Sequence, residues 1–103
     1  MRLLEERAVY ENLQNHLARA IAKTIKWELE KRELSVDLVK DLTADLTFSV
    51  ATVLDASAIV EIEGGTLKPI ITFQTDTESL VWVGGTSYMH DEVYGWVYDL
   101  FLK

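Results

Sequence analysis

Three observations on this 103-residue sequence predict an α+β fold. Residues 3 to 32 lack Gly and Pro and are rich in good helix formers. Gly64-Gly65 separates two β-branched runs, the pattern of a tight hairpin. Residues 92 to 102 return to helical apolar spacing. The predicted order is α-α-β-β-β-α: two N-terminal helices, the first one long, then a three-stranded antiparallel meander and a C-terminal helix. A chain this short has room for one core, so residues 1–103 are read as a single domain.

In the first helix Val9, Leu13, Leu17, Ile21, Ile25 and Leu29 recur every four residues. Each such step overshoots a full turn by about 40°. The apolar stripe therefore winds and broadens. Ala18, Ala20 and Ala22 sit where it turns, and their small side chains let another helix approach. Arg19, Lys23 and Lys26 lie opposite. A face this broad exceeds what one small domain covers, which predicts a homodimer through helix 1.

Ser35 is the expected N-cap of the second helix, with Asp37 in the first turn complementing the helix dipole. Val39, Leu42, Leu46, Val50, Val53 and Leu54 share one side and form its expected core face. Thr47 to Val53 is rich in β-branched residues, so a strand competes there. The continuous stripe favours helix to about Leu54. Asp37, Asp41 and Asp45 line the outer side, and Asp55 extends it. Phe48 is expected to project from this polar side.

A turn at Gly64-Gly65 sets Glu63 opposite Thr66, Glu61 opposite Lys68 and Ile59 opposite Ile70. Val60, Ile62, Leu67, Ile71 and Phe73 then share one face, and Glu61 pairs with Lys68 across the strands. Thr75 to Glu78 reads as a loop and Leu80 to Val83 as the third strand. A four-residue loop places Leu80 opposite Phe73 and Trp82 opposite Ile71 on the core face. Ile59, Ile70, Val81 and Val83 then form an apolar outer sheet face, a second candidate dimer surface. Gly84-Gly85 ends the strand, and Asp91 is the expected cap of the last helix. Val93, Trp96, Val97, Leu100 and Phe101 form its apolar side.

Composition narrows the function. With 17 acidic and 10 basic residues the net charge is −7. A surplus of carboxylates disfavours direct binding of nucleic acid and docking on an anionic membrane. Residues 1–34 carry a net +1, and residues 35–103 a net −8. Without cysteine there is no disulfide, zinc-thiolate site or thiol nucleophile. Residues 1–7 lack the apolar run of a signal peptide, and no stretch reaches membrane-spanning length. The expected location is the cytoplasm.

No residue set converges on a reaction, a metal or a cofactor. His90-Asp91-Glu92 are adjacent, so on a helix they point about 100° apart and do not share one ion. They read instead as an acidic helix N-terminus. Gly84-Gly85-Thr86-Ser87 lacks the Lys of a phosphate loop and precedes two carboxylates. Ser87 and His90 lack the GxSxG elbow of a serine nucleophile.

The sequence therefore predicts a non-enzymatic protein–protein interaction module: a regulator, adaptor or inhibitor. Its candidate partner-binding residues are Asp37, Asp41, Asp45, Phe48, Tyr88, Tyr94 and Tyr98. Tyrosines are enriched in interface hot spots, and an acidic surface suits a basic partner. A carboxylate array also suits a nucleic-acid mimic. The alternative is a small ligand-binding domain or enzyme. It would have an aromatic pocket between the sheet and the C-terminal helix and use His90, Asp91 or Tyr88 in acid–base roles.

Overall fold

A computed structural model describes residues 2–85 and 87–102. The elements in chain order are β1 (Arg2–Glu5), α1 (Arg7–Glu30), α2 (Val36–Leu54), β2 (Val60–Ile62), β3 (Gly65–Leu67), β4 (Phe73–Gln74), β5 (Ser79–Trp82), a 3-10 turn (Met89–Glu92) and α3 (Val93–Phe101). The fold class is α+β, as the sequence predicts. The strands differ from the expected meander, because they divide between two small sheets.

The start of the chain departs first. Leu3 to Glu6 read as helix by composition, yet Arg2–Glu5 forms a strand parallel to β5, with Arg2 opposite Ser79 and Glu5 opposite Trp82. The Arg2 amide donates to the Glu78 carbonyl at 2.6 Å, and the Glu6 amide to Trp82 at 3.2 Å. Pairing with a distant strand edge here overrides a local helix preference.

The α2 boundaries follow the local signals. The Ser35 hydroxyl accepts a hydrogen bond from the Leu38 amide at 3.1 Å, and the helix ends at Leu54. Ser35→Ala is expected to lower stability by about 1 kcal/mol, and Ser35→Asp to preserve it. Urea unfolding measures this, and an unchanged midpoint for Ser35→Ala would show that the cap is idle.

The buried face of α2 differs from the expected one. Val39, Thr43, Ala44, Thr47 and Ala51 are buried, while Leu46, Val50 and Val53 are exposed. The helix packs against both α1 and α3. Close approach on two sides favours small side chains, and the bulkier stripe turns outward. Thr43 is tolerated there because its hydroxyl donates to the Val39 carbonyl at 2.6 Å. On α1 the buried series is likewise one residue on from the expected stripe: Tyr10, Gln14, Ala18 and Ala22. Leu13, Leu17, Ile21, Ile25 and Leu29 are half-buried, and Val9 and Ala20 are exposed.

In the hairpin, Val60 pairs with Leu67, Glu61 with Thr66 and Ile62 with Gly65. The turn is therefore Glu63-Gly64. Gly64 takes the positive φ (91°) that the second turn position requires. Partners shift by two residues, so the faces are kept, but Glu61 meets Thr66 instead of Lys68. The expected Ile59–Ile70 pairing is absent from the described ladder, which stops at Leu67. Pro69 has no amide to donate, and its position explains the break.

In the second sheet β5 lies between β1 and β4. Phe73 pairs with Val81 and Gln74 with Leu80. This is one residue off the expected register, and a one-residue slip exchanges the faces. Ser79, Val81 and Val83 are buried, whereas Leu80 and Trp82 are half-buried. Of the four residues expected on an apolar outer face, only Ile59 and Ile70 are exposed.

The core has two parts. Ala18, Ala22, Ala44, Ala51, Met89, Val93, Trp96 and Val97 join the three helices. Tyr10, Val81 and Val83 join α1 to the sheet, with Leu13 and Phe73 against them. The Tyr10 and Phe73 rings lie 5.1 Å apart. Asp91 does not cap α3, which starts at Val93 after the 3-10 turn with no side-chain cap at Glu92. No helix among the described residues is long and apolar enough to cross a membrane.

Candidate interaction surface

Helix α3 runs against α2 and brings three of the seven candidate residues together. The Tyr94 hydroxyl donates to Asp45 Oδ1 at 3.1 Å. The Phe48 ring lies 5.4 Å from that of Tyr94 and 5.7 Å, edge-on, from that of His90. Phe48 is thus a half-buried member of the helical core and does not project from a polar side. One turn further along, the Lys40 ammonium sits 4.8 Å over the Tyr98 ring. Asp37 and Asp41 stay exposed on α2. Tyr94 and Tyr98 keep 39% and 49% of their surface in solvent, so both remain available to a partner. The hydrogen bond to Asp45 raises the Tyr94 phenol above its ordinary range, because the carboxylate favours the protonated form.

Tyr88 stands apart from this group. It adopts a left-handed backbone (φ 54°, ψ 35°), which disfavours a side chain of its size. Its exposed ring borders a cavity of about 270 Å³ with Glu11, Gln14, Asn15, Asp91 and Glu92. The Gln14 amide nitrogen donates to the Ser87 carbonyl at 3.3 Å and ties this loop to α1.

The cluster is anchored by a contact that sequence reasoning missed. Asp55 was expected on the outer side of α2, yet it is buried. Its Oδ2 accepts from the His90 amide at 3.0 Å and lies 2.5 Å from His90 Nδ1. Its Oδ1 accepts from the Ser57 amide at 3.0 Å. Burial alone would raise the Asp55 carboxyl, but the hydrogen bonds from His90 and Ser57 outweigh it and hold the group below the usual range. Ala56, with φ 65°, takes a left-handed turn just after α2, on the way to β2. The clamp fixes His90, and His90 backs the Phe48 ring.

These groups do not form a nucleophile–base relay. Ser57 Oγ, at 3.1 Å, and Asp55 both face Nδ1 of His90. Nε2 faces Asp91 Oδ1 at 3.1 Å. A serine nucleophile and its orienting carboxylate must sit on opposite ring nitrogens. Ser87 is engaged through its backbone with Gln14. Among the described residues no group of three His, Asp or Glu side chains is arranged to hold a metal. Gly84 adopts φ 84° beside Glu5, and Thr86 of the same loop lies outside the described residues.

A second cavity, of about 160 Å³, lies between residues 68–71, the end of β5 and the end of α2. Tyr10, Asp55, Lys68 and Trp82 line it. Burial raises the Tyr10 phenol, against a smaller opposing hydrogen bond with Ser87. Comparison with protein-family models, curated proteins and solved structures finds no match to this chain.

Proposed function

We propose that the chain is a small acidic, non-enzymatic interaction module that presents its α2–α3 face to a basic protein partner. The Asp45–Tyr94–Phe48 cluster, backed by the Asp55–His90 clamp, carries this reading. It holds an aromatic edge and a carboxylate in fixed relation across two helices. Asp37 and Asp41 extend the acidity along α2. Carboxylates of this kind speed encounter with a cationic partner, and a preset tyrosine supplies contact area at low entropic cost.

Fluorescence anisotropy with a labelled oligoarginine peptide tests the proposal. Binding should weaken as salt rises, and Asp37→Asn with Asp41→Asn should weaken it about tenfold, or ~1.4 kcal/mol. Asp45 is left intact because it holds Tyr94. Equal binding by parent and double variant would defeat the acidic-face reading. A cavity lined by Tyr10, Asp55, Lys68 and Trp82 favours a second reading, a small-ligand site, although it lies at the ends of β5 and α2 and not against the C-terminal helix where the sequence places an aromatic pocket. Saturable ligand-induced shifts of the Trp82 indole signal in NMR titrations would favour it.

A further inference from the structure

The chain exposes more surface than its mass requires. A globular monomer of 11.7 kDa exposes roughly 5,900 Å². This chain exposes 6992 Å². Its radius of gyration is 15.4 Å, against about 12.8 Å for a compact domain of this length. The molecule measures 46 × 36 × 22 Å, so the excess is spread over a thin body. The surplus, roughly 1,100 Å², is on the scale of the ~800 Å² that each partner contributes to a standard interface.

Part of this open surface is an apolar face of α2. Leu42, Leu46, Val50 and Val53 form a stripe at helical spacing on α2. Leu46, Val50 and Val53 remain 44%, 37% and 43% exposed. Residues 46 to 54 contain no charged side chain. A helix side meant for water normally carries charges at such positions. Helix α1 runs antiparallel to α2: Tyr10 shares a cavity with Leu54 and Asp55, and Glu30 shares one with Val36 and Val39. The stretch of α1 opposite, residues 12 to 18, also lacks Lys, Arg, Asp and Glu.

We infer that two copies of the chain form a symmetric dimer through the Leu42–Leu46–Val50–Val53 stripe of α2. A second copy suits this face better than a charged partner, which would find no counter-charge among residues 46 to 54. Each chain carries −7, so two copies repel over most of their surfaces. The charge-free stripe brings them together without opposing carboxylates. A single apolar stripe meeting its own copy across a two-fold axis is self-complementary. Ridges of residues four apart interdigitate in such a contact. The acidic line Asp37–Asp41–Asp45 lies elsewhere around α2, so this inference stands independently of the proposed acidic docking face.

Sedimentation equilibrium of the full chain tests it. The expected mass at tens of micromolar is twice 11.7 kDa. Leu46→Glu with Val50→Glu should return the mass to one chain while far-UV circular dichroism stays unchanged, since both positions are exposed. Because the chain has no native cysteine, Ser49→Cys offers a single spin-label site on the same side of α2. A double electron–electron resonance signal with one short inter-label distance is expected for it, independently of the glutamate variant. Three results would overturn the inference: a parent chain that stays monomeric, a glutamate variant that stays dimeric, or Ser49→Cys labels that show no short distance. A dimer that survives the glutamates would use another face, such as the exposed Ile62 and Leu67 of the hairpin.

Discussion

Asp55→Asn should destabilise the protein by about 3 kcal/mol, because it breaks a buried clamp on three donors. The carboxylate accepts from the Ser57 amide, the His90 amide and the His90 ring, and its side chain is fully shielded from solvent. An amide of the same shape keeps one acceptor oxygen and turns an NH₂ group toward a donor. At least one buried N–H then loses its partner. Asp55→Ala should cost at least as much, since all three donors are left. Chemical denaturation followed by tryptophan fluorescence measures both. A loss under 1 kcal/mol for Asp55→Ala would show that water replaces the carboxylate at no great cost, and that the clamp is dispensable.

The same contact sets a pH dependence. The Asp55 carboxyl is lowered in the folded state, so the folded chain binds fewer protons there than the unfolded one. Its contribution is fully present above the ordinary aspartate value of about 4. It is lost as pH falls from there through the lower folded value. Acid unfolding of Asp55→Asn should accordingly show a shallower loss of stability below about pH 4 than the parent.

Most helix positions were legible, because their signals are local. Ser35 and the apolar spacing after it mark α2 at both ends, and Val93, Trp96 and Val97 lie buried on α3 where their spacing put them. What failed depended on distant partners. Arg2–Glu5 becomes a strand only because the edge of β5, over seventy residues away, is open to it. Hydrophobic spacing marks only the greasiest side of α2. The side actually buried is set by how closely α1 and α3 approach, and that favours Ala44, Ala51, Thr43 and Thr47. The outward Leu46 and Val50 are the residue of that choice, and they now suggest a dimer face.

The candidate surface was legible in part for the same reason. Asp45 and Tyr94 could each be picked from composition and helical phase, but only tertiary packing joins them. Asp55 and His90 are 35 positions apart and share no spacing motif. Helical phase even pointed the other way, because Asp55 falls on the side of α2 that carries Asp37, Asp41 and Asp45. Buried carboxylates require donors, and His90 with its own amide is a donor pair.

Trp96→Ala should cost about 3–5 kcal/mol and lie toward the upper end of that range. Trp96 is a buried member of a cluster whose fully buried contributions from α1 and α2 are all alanines, Ala18, Ala22, Ala44 and Ala51, with Leu17, Phe48 and Leu54 partly buried against them. Alanines have no rotamers with which to fill a void, so the space left by the indole closes only as far as the partly buried Leu17, Phe48 and Leu54 or the helices themselves shift. Trp96→Phe should lose a smaller share, because a ring still spans most of the gap. Ala22→Leu alone should destabilise by about 1–3 kcal/mol through overpacking, since Ala22 is wholly buried. Combined with Trp96→Ala, however, the added methylenes enter the vacated space. The double variant should then be more stable than the sum of the single losses implies, by about 1 kcal/mol or more. Urea unfolding of the four proteins closes the cycle. Additivity within about 0.5 kcal/mol would mean that Trp96 and Ala22 do not compete for one volume, and that the three helices are held by separate contacts around the indole.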